Sequence, residues 1–151
     1  LAKALDPDHA DVAQAQYYIG LCLLSAGNTE AAAGSYRDAL AVQRKNGAHS
    51  LTLAYTYYCL GDCAMSEMLV EEAEKWYLLA YEARKGVATE PVLACNMIQI
   101  GWCCMHSEPS RLEKAEDYFQ QALKIQERQM SPAHPHIRVT LSRLGRCLLQ
   151  Q

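Results

Sequence analysis

The sequence predicts an all-α fold: a right-handed solenoid of stacked helical hairpins, about three full repeats followed by a terminal first helix. Two motifs predict it. An aliphatic residue, a glycine, any residue and a cysteine return four times, as Ile19-Gly20-Leu21-Cys22, Leu60-Gly61-Asp62-Cys63, Ile100-Gly101-Trp102-Cys103 and Leu144-Gly145-Arg146-Cys147. The glycines stand 41, 40 and 44 residues apart, and a near-constant period in this range marks one supersecondary unit stacked several times. In phase with the first three run Ala32-x3-Tyr36-x2-Ala39, Ala73-x3-Tyr77-x2-Ala80 and Ala115-x3-Phe119-x2-Ala122. The third set lies two residues farther from its glycine, and Ser107-Glu108-Pro109-Ser110 is the turn that absorbs the difference. No run of alternating β-branched residues suggests a strand.

Taken in order along the chain, Leu1-Ala2-Lys3-Ala4-Leu5 reads as the tail of a second helix from a preceding repeat. First (A) helices are predicted at 10–25, 48–66, 90–106 and 134–150, and second (B) helices at 29–45, 69–85 and 111–129. Repeats then run over 10–46, 47–86, 87–130 and a partial 131–151 within one domain. Pro7, Pro91, Pro132 and Pro135 fall near A-helix starts, where proline is tolerated. Asn28 or Thr29 is expected to cap the first B helix, and Ser110-Arg111-Leu112-Glu113 reads as a capping box for the third.

Each repeat glycine sits mid-helix, where it costs about 1 kcal/mol against alanine. Close approach of a partner helix is the expected reason at Gly20, Gly61, Gly101 and Gly145. The alanine–aromatic–alanine set recurs at i, i+4 and i+7, so it marks one buried stripe of the B helix.

Glycine, then alanine, aromatic and alanine at these offsets resembles the tetratricopeptide repeat. The period exceeds that family's usual length by roughly two helical turns, most simply one per helix. Leu5-Asp6-Pro7-Asp8-His9-Ala10-Asp11-Val12-Ala13 is similar to the linker of the kinesin-light-chain type of long repeat. Ser131-Pro132-Ala133-His134-Pro135 and the shorter Gly47-Ala48-His49 repeat the likeness. The resemblance implies a superhelix that displays a binding surface and assigns the connector histidines to helix starts. It also implies a concave face lined by A helices, exposing positions −6, −3, +1 and +4 from each glycine. These are Gln14, Tyr17, Leu21 and Leu24; Tyr55, Tyr58, Asp62 and Met65; Cys95, Ile98, Trp102 and Met105; and Val139, Ser142, Arg146 and Leu149. Tyr17, Tyr58 and Trp102 would form an aromatic track, with Asp62 and Arg146 setting its polarity. Kinesin light chains carry asparagines at −3 and −2 that hold a cargo peptide. Tyr17-Tyr18, Tyr58-Cys59, Ile98-Gln99 and Ser142-Arg143 stand there instead, so that cargo site is not carried over.

The remaining features narrow the function. Half of the 151 residues are hydrophobic, enough for a continuous core, and the net charge is only −3. Arg44-Lys45, Arg84-Lys85, Lys124 and Arg128 gather near B-helix C-termini, where cations complement the helix dipole, so nucleic acid is not an expected partner. Seven cysteines, four of them one repeat position, suit a reducing cytoplasmic setting, with Cys22, Cys63, Cys103 and Cys147 as small apolar fillers. No ligand spacing for a metal, phosphate loop or hydrolase motif is present, so no cofactor and no catalysis are expected. No apolar run suits a membrane span. The expected function is non-catalytic docking of a partner's peptide or helix. The alternative is a structural array packed on another domain of its own polypeptide. Leu144, Cys147 and Leu148 are expected to face a B helix beyond the sequence, with self-association through the exposed terminal helices.

Overall fold

The computed structural model describes residues 9–151; Pro7 and the Leu1–Leu5 segment lie outside the described residues. Seven α-helices follow in order: α1 (Ala10–Ser25), α2 (Thr29–Lys45), α3 (Ser50–Ser66), α4 (Val70–Arg84), α5 (Glu90–His106), α6 (Leu112–Gln129) and α7 (Pro135–Gln150). No strand occurs among the described residues. α1, α3, α5 and α7 are the A helices; α2, α4 and α6 are the B helices. Each B helix packs on its own A helix and on the A helix of the following hairpin.

The A helices begin by a shared device. His9, His49 and His134 each turn Nδ1 back to accept the backbone N–H two residues on, from Asp11 at 3.2 Å, Leu51 at 3.4 Å and His136 at 3.2 Å. One of the free amides at each helix start is thereby satisfied. α5 lacks a histidine and starts with Thr89 and Pro91. Pro135 opens α7, whereas Pro132 stands in the turn before it. Asn28 Oδ1 caps α2 by accepting from the Ala31 N–H at 3.4 Å. The capping box expected at Ser110 does not form. α6 starts one residue later behind Arg111, without a side-chain cap. Arg111 is drawn away from the helix start, donating from Nε to Ser107 Oγ at 3.1 Å and from Nη1 to Glu74 at 2.9 Å.

Within a hairpin, the aromatic ring of the B helix lies on the glycine of the A helix. A Cβ at Gly20 or Gly61 would come within 2.6 Å of the Tyr36 or Tyr77 ring, and one at Gly101 within 2.9 Å of Phe119. Gly145 departs from the expectation: no heavy atom of a neighbour lies within 4 Å of its Cβ position, because no ring covers it. Cys63, Cys103 and Cys147 are buried as expected, but Cys22 is exposed, as no described helix packs on that side of α1. On α7, Cys147 and the partly buried Leu144 pack into the core beside α6, while Leu148 is exposed. The expected shared face is therefore split. Leu144 and Cys147 look toward the preceding hairpin, and the open side carries Leu141, Gly145 and Leu148.

A buried polar contact that sequence reading missed joins each B helix to the next A helix. The Thr56 hydroxyl donates to Gln43 Oε1 at 2.9 Å, and the Thr140 hydroxyl donates to Gln126 Oε1 at 2.8 Å. Between them Arg84 Nη1 donates to Asn96 Oδ1, and Asn96 Nδ2 donates to the Tyr77 carbonyl at 3.3 Å. All six side chains are buried. Since an unpaired buried polar group is costly, each contact fixes how one hairpin seats on the next.

Candidate functional site

The A helices stand side by side, and their −3 and −2 positions form a lateral ladder. Cys59 Sγ of α3 donates to Tyr17 Oη of α1 at 3.8 Å. Gln99 Nε2 of α5 donates to Tyr58 Oη of α3 at 3.3 Å, and Arg143 Nη1 of α7 donates to Gln99 Oε1 at 3.1 Å. The ladder runs along the whole row of A helices at the positions where kinesin light chains place asparagines. Its side chains are partly committed to one another and form the floor of the surface.

Above this floor the expected groove residues separate into three groups. Gln14, Tyr55, Val139, Ser142, Arg146 and Leu149 are exposed. Tyr17, Leu21, Leu24, Tyr58, Asp62, Met65, Cys95 and Trp102 are half-buried. Ile98 and Met105 are buried in the core, packed with Cys103 and Ala94, and offer no surface. The open stripe therefore narrows at α5.

Two hollows lie along it. The first, about 470 Å³, is lined by Tyr17 and Tyr18 of α1, Gln43 and Asn46 at the end of α2, and Thr52 and Tyr55 of α3. The second, about 410 Å³, lies between α5 and α7 and is lined by Trp102, Pro135, Arg138, Val139, Ser142, Arg143 and Arg146. Trp102 is not a bare anchor. The guanidinium carbons of Arg143 and Arg146 stand 4.8 and 5.2 Å from its ring centre, and the His106 ring is 4.1 Å away. The expected aromatic track is thus an aromatic end at α1–α3 and a cationic end at α7.

Between these ends sits a buried guanidinium. Arg84 lies 5.2 Å from the Tyr55 ring centre and 4.9 Å from that of Tyr58, with Nε lacking a hydrogen-bond partner. Asp62 accepts from the Tyr77 hydroxyl at 2.6 Å. Burial raises the Asp62 carboxyl above its ordinary value, opposed by the Tyr77 hydrogen bond and the charge of Arg84. Burial, with the Asp62 charge nearby, pushes the Tyr58 hydroxyl up to about 12. The Cys63 and Cys103 thiols are pushed up to about 11 and about 12, chiefly by burial. At neutral pH they are protonated, and a protonated thiol is a poor nucleophile or metal ligand. His134 Nδ1 is engaged in its helix cap, and no group of three or more candidate metal ligands occurs among the described residues. Nor is any helix among them long and apolar enough to cross a membrane.

The paired helices, the ring-on-glycine contacts and the row of A helices coincide with a sequence match to the tetratricopeptide repeat family model over residues 52–127, half of the chain. The chain belongs to the tetratricopeptide repeat family. Its fold is similar to that of RapI in its apo form (TM-score 0.84, 19% identity), all of this chain aligning with 53% of that one. It is also similar to BtubC (BKLC) from P. vanneervenii (TM-score 0.82, 20% identity), over 99% of this chain and 59% of that one. The nearly identical TPR-like repeats of a putative kinesin light chain from Podosopora anserina align with a TM-score of 0.79 at 15% identity, covering 98% and 71% of the two chains. The chain thus spans little more than half the length of RapI and BtubC. No curated protein matches it in sequence. Identities this low establish the superhelical fold and nothing finer. Tetratricopeptide repeats as a class mediate protein–protein interaction and are typically non-catalytic.

Proposed function

We propose that this tetratricopeptide array is a non-catalytic docking module that holds a peptide or helix of a partner protein along the row of A helices. The observation that carries the reading is the division of labour on that row. Ladder contacts tie Tyr17, Tyr58, Gln99 and Arg143 to their neighbours, while exposed Tyr55 opens on the first hollow, exposed Ser142 and Arg146 on the second, and half-buried Asp62 stands on the same row. A preordered floor with a few exposed aromatic and arginine side chains is the arrangement that concentrates binding energy. Tyr55 is half exposed over the buried Arg84 and is the expected apolar anchor. The test is capture of partners from a lysate by wild-type protein, Tyr55→Ala and a Lys75→Ala control on the exposed face of α4. Loss of a specific band with Tyr55→Ala alone supports the reading. Identical capture by all three proteins overturns it.

Self-association is favoured by a separate observation. Leu141 and Leu148 are 47% and 49% exposed beside the uncovered Gly145, a continuous apolar face on α7. Sedimentation over a wide concentration range is expected to show association that Leu148→Glu abolishes. A strict monomer removes this reading.

A further inference from the structure

Resting on the docking reading above, we propose that the cleft between α5 and α7 receives a phosphoryl group carried by the partner segment, bound by Arg138, Arg143 and Arg146 with Ser142 beside them.

The first support is charge. Arg37, Arg111 and Arg128 each have a carboxylate within ion-pair distance, at Glu72, Glu74 and Glu90. The three arginines of this cleft, like Arg44 and Arg84, have none among the described residues, but they alone share one hollow, although the chain as a whole carries a net charge of −3. Uncompensated positive charge is thus gathered in one hollow. It is also partly desolvated: burial holds the Arg143 guanidinium below its ordinary value, and neighbouring Arg146 acts in the same direction. A dianion relieves that like-charge contact and interacts more strongly there than in open water.

The second support is preorganisation. Arg143 and Arg146 rest on Trp102, and Arg143 is further tied to Gln99. Stacking occupies the faces of the guanidinium planes and leaves their N–H edges, apart from the Arg143 Nη1 given to Gln99, free to donate. Holding long side chains in place beforehand reduces the entropy lost on binding.

The third is acceptor count. A phosphoryl group brings about two negative charges and three acceptor oxygens, matching three guanidiniums and a serine hydroxyl. A single carboxylate brings one charge and two oxygens. Val139 and Pro135 complete the wall with apolar surface suited to the carbon stem of a phosphorylated side chain.

The test uses three synthetic decapeptide libraries, identical except for a fixed central phosphoserine, serine or glutamate, incubated with the intact chain at physiological salt. The expected result is retention of the phosphoserine library at least about tenfold above the other two, as charge-assisted bidentate contacts would give. Arg138→Gln and Arg146→Gln, both at exposed positions, should each abolish that preference without changing the thermal unfolding curve. Equal retention of phosphoserine and glutamate libraries, or a preference that survives both substitutions, overturns the phosphoryl site and leaves the docking reading standing. No retention of any library overturns the phosphoryl site by itself, and unchanged capture by Tyr55→Ala overturns the docking reading as well.

Discussion

At the scale of single residues, the same amino acid has opposite value in different repeats. Gly61 is needed because the Tyr77 ring fills the place of its Cβ. Gly61→Leu is expected to destabilise the fold by about 1–3 kcal/mol through overpacking, although leucine is the better helix former. Gly145 has no such neighbour, so Gly145→Ala should leave stability unchanged or raise it by up to about 1 kcal/mol. Chemical denaturation of both variants checks the pair, and a stabilised Gly61→Leu would refute the ring-on-glycine account. Two acids respond to pH with opposite signs. Burial alone would raise Glu74, but its bonds to Arg111 outweigh this and lower it. Its contribution is therefore complete above the ordinary glutamate range and is lost as pH falls through its depressed folded value. Asp62 is raised, so its burial costs least when protonated and becomes increasingly unfavourable as pH rises through the carboxylate range. Asp62→Asn keeps an acceptor for Tyr77 and should remove that second trend. The difference in unfolding free energy between Asp62→Asn and wild type, measured from pH 3 to 7, should favour the variant progressively toward pH 7.

At the scale of elements, helix existence and order were legible because two motifs recur in phase and turn residues mark the gaps. The histidine caps were readable from the connectors. The failed capping box shows where local pattern loses to tertiary demand: Arg111 joins Glu74 of the preceding hairpin instead of leaving Ser110 to cap the helix. The buried contacts between hairpins were not legible, since Gln and Arg near B-helix C-termini and Thr and Asn within A helices read as ordinary polar residues. A faint signal existed. Thr56, Asn96 and Thr140 all stand five residues before a repeat glycine, while Gln43, Arg84 and Gln126 occupy matching B-helix positions once the third repeat's insertion is counted. Thr56→Val should cost about 1–3 kcal/mol by stranding the Gln43 amide, and Thr56→Ser should cost less. A larger loss in thermal unfolding for Thr56→Ser than for Thr56→Val would show that the threonine methyl, not its hydroxyl, matters.

At the scale of the whole molecule, the surface has a direction that no single repeat possesses. Tyrosines predominate at α1–α3 and arginines at α7, with Arg84 buried between them. The family resemblance implied one row of A-helix residues, but neither it nor the spacing could show that Trp102 would be shielded by Arg143 and Arg146 or that Ile98 and Met105 would turn inward. Those outcomes depend on side chains from adjacent hairpins, which periodicity within one helix does not encode. Partner binding should consequently weaken with salt in proportion to contacts at the α7 end. Arg146→Ala is expected to flatten that salt dependence in a titration against a captured partner, whereas Tyr55→Ala should weaken affinity at every salt concentration alike.

The alternation of Gln–Thr, Arg–Asn and Gln–Thr across successive junctions also bears on how such arrays can be shuffled. The helical hairpin is the visible repeating unit, yet its polar partners lie across the boundary with the next hairpin. A recombination event that moved α3 and α4 as a block would separate Thr56 from Gln43 and Arg84 from Asn96, stranding buried groups at both cuts. A transfer of α4 with α5, cut through the middle of two hairpins, would carry its matched pair intact. The unit of inheritance that preserves these junctions is therefore offset by one helix from the unit of architecture.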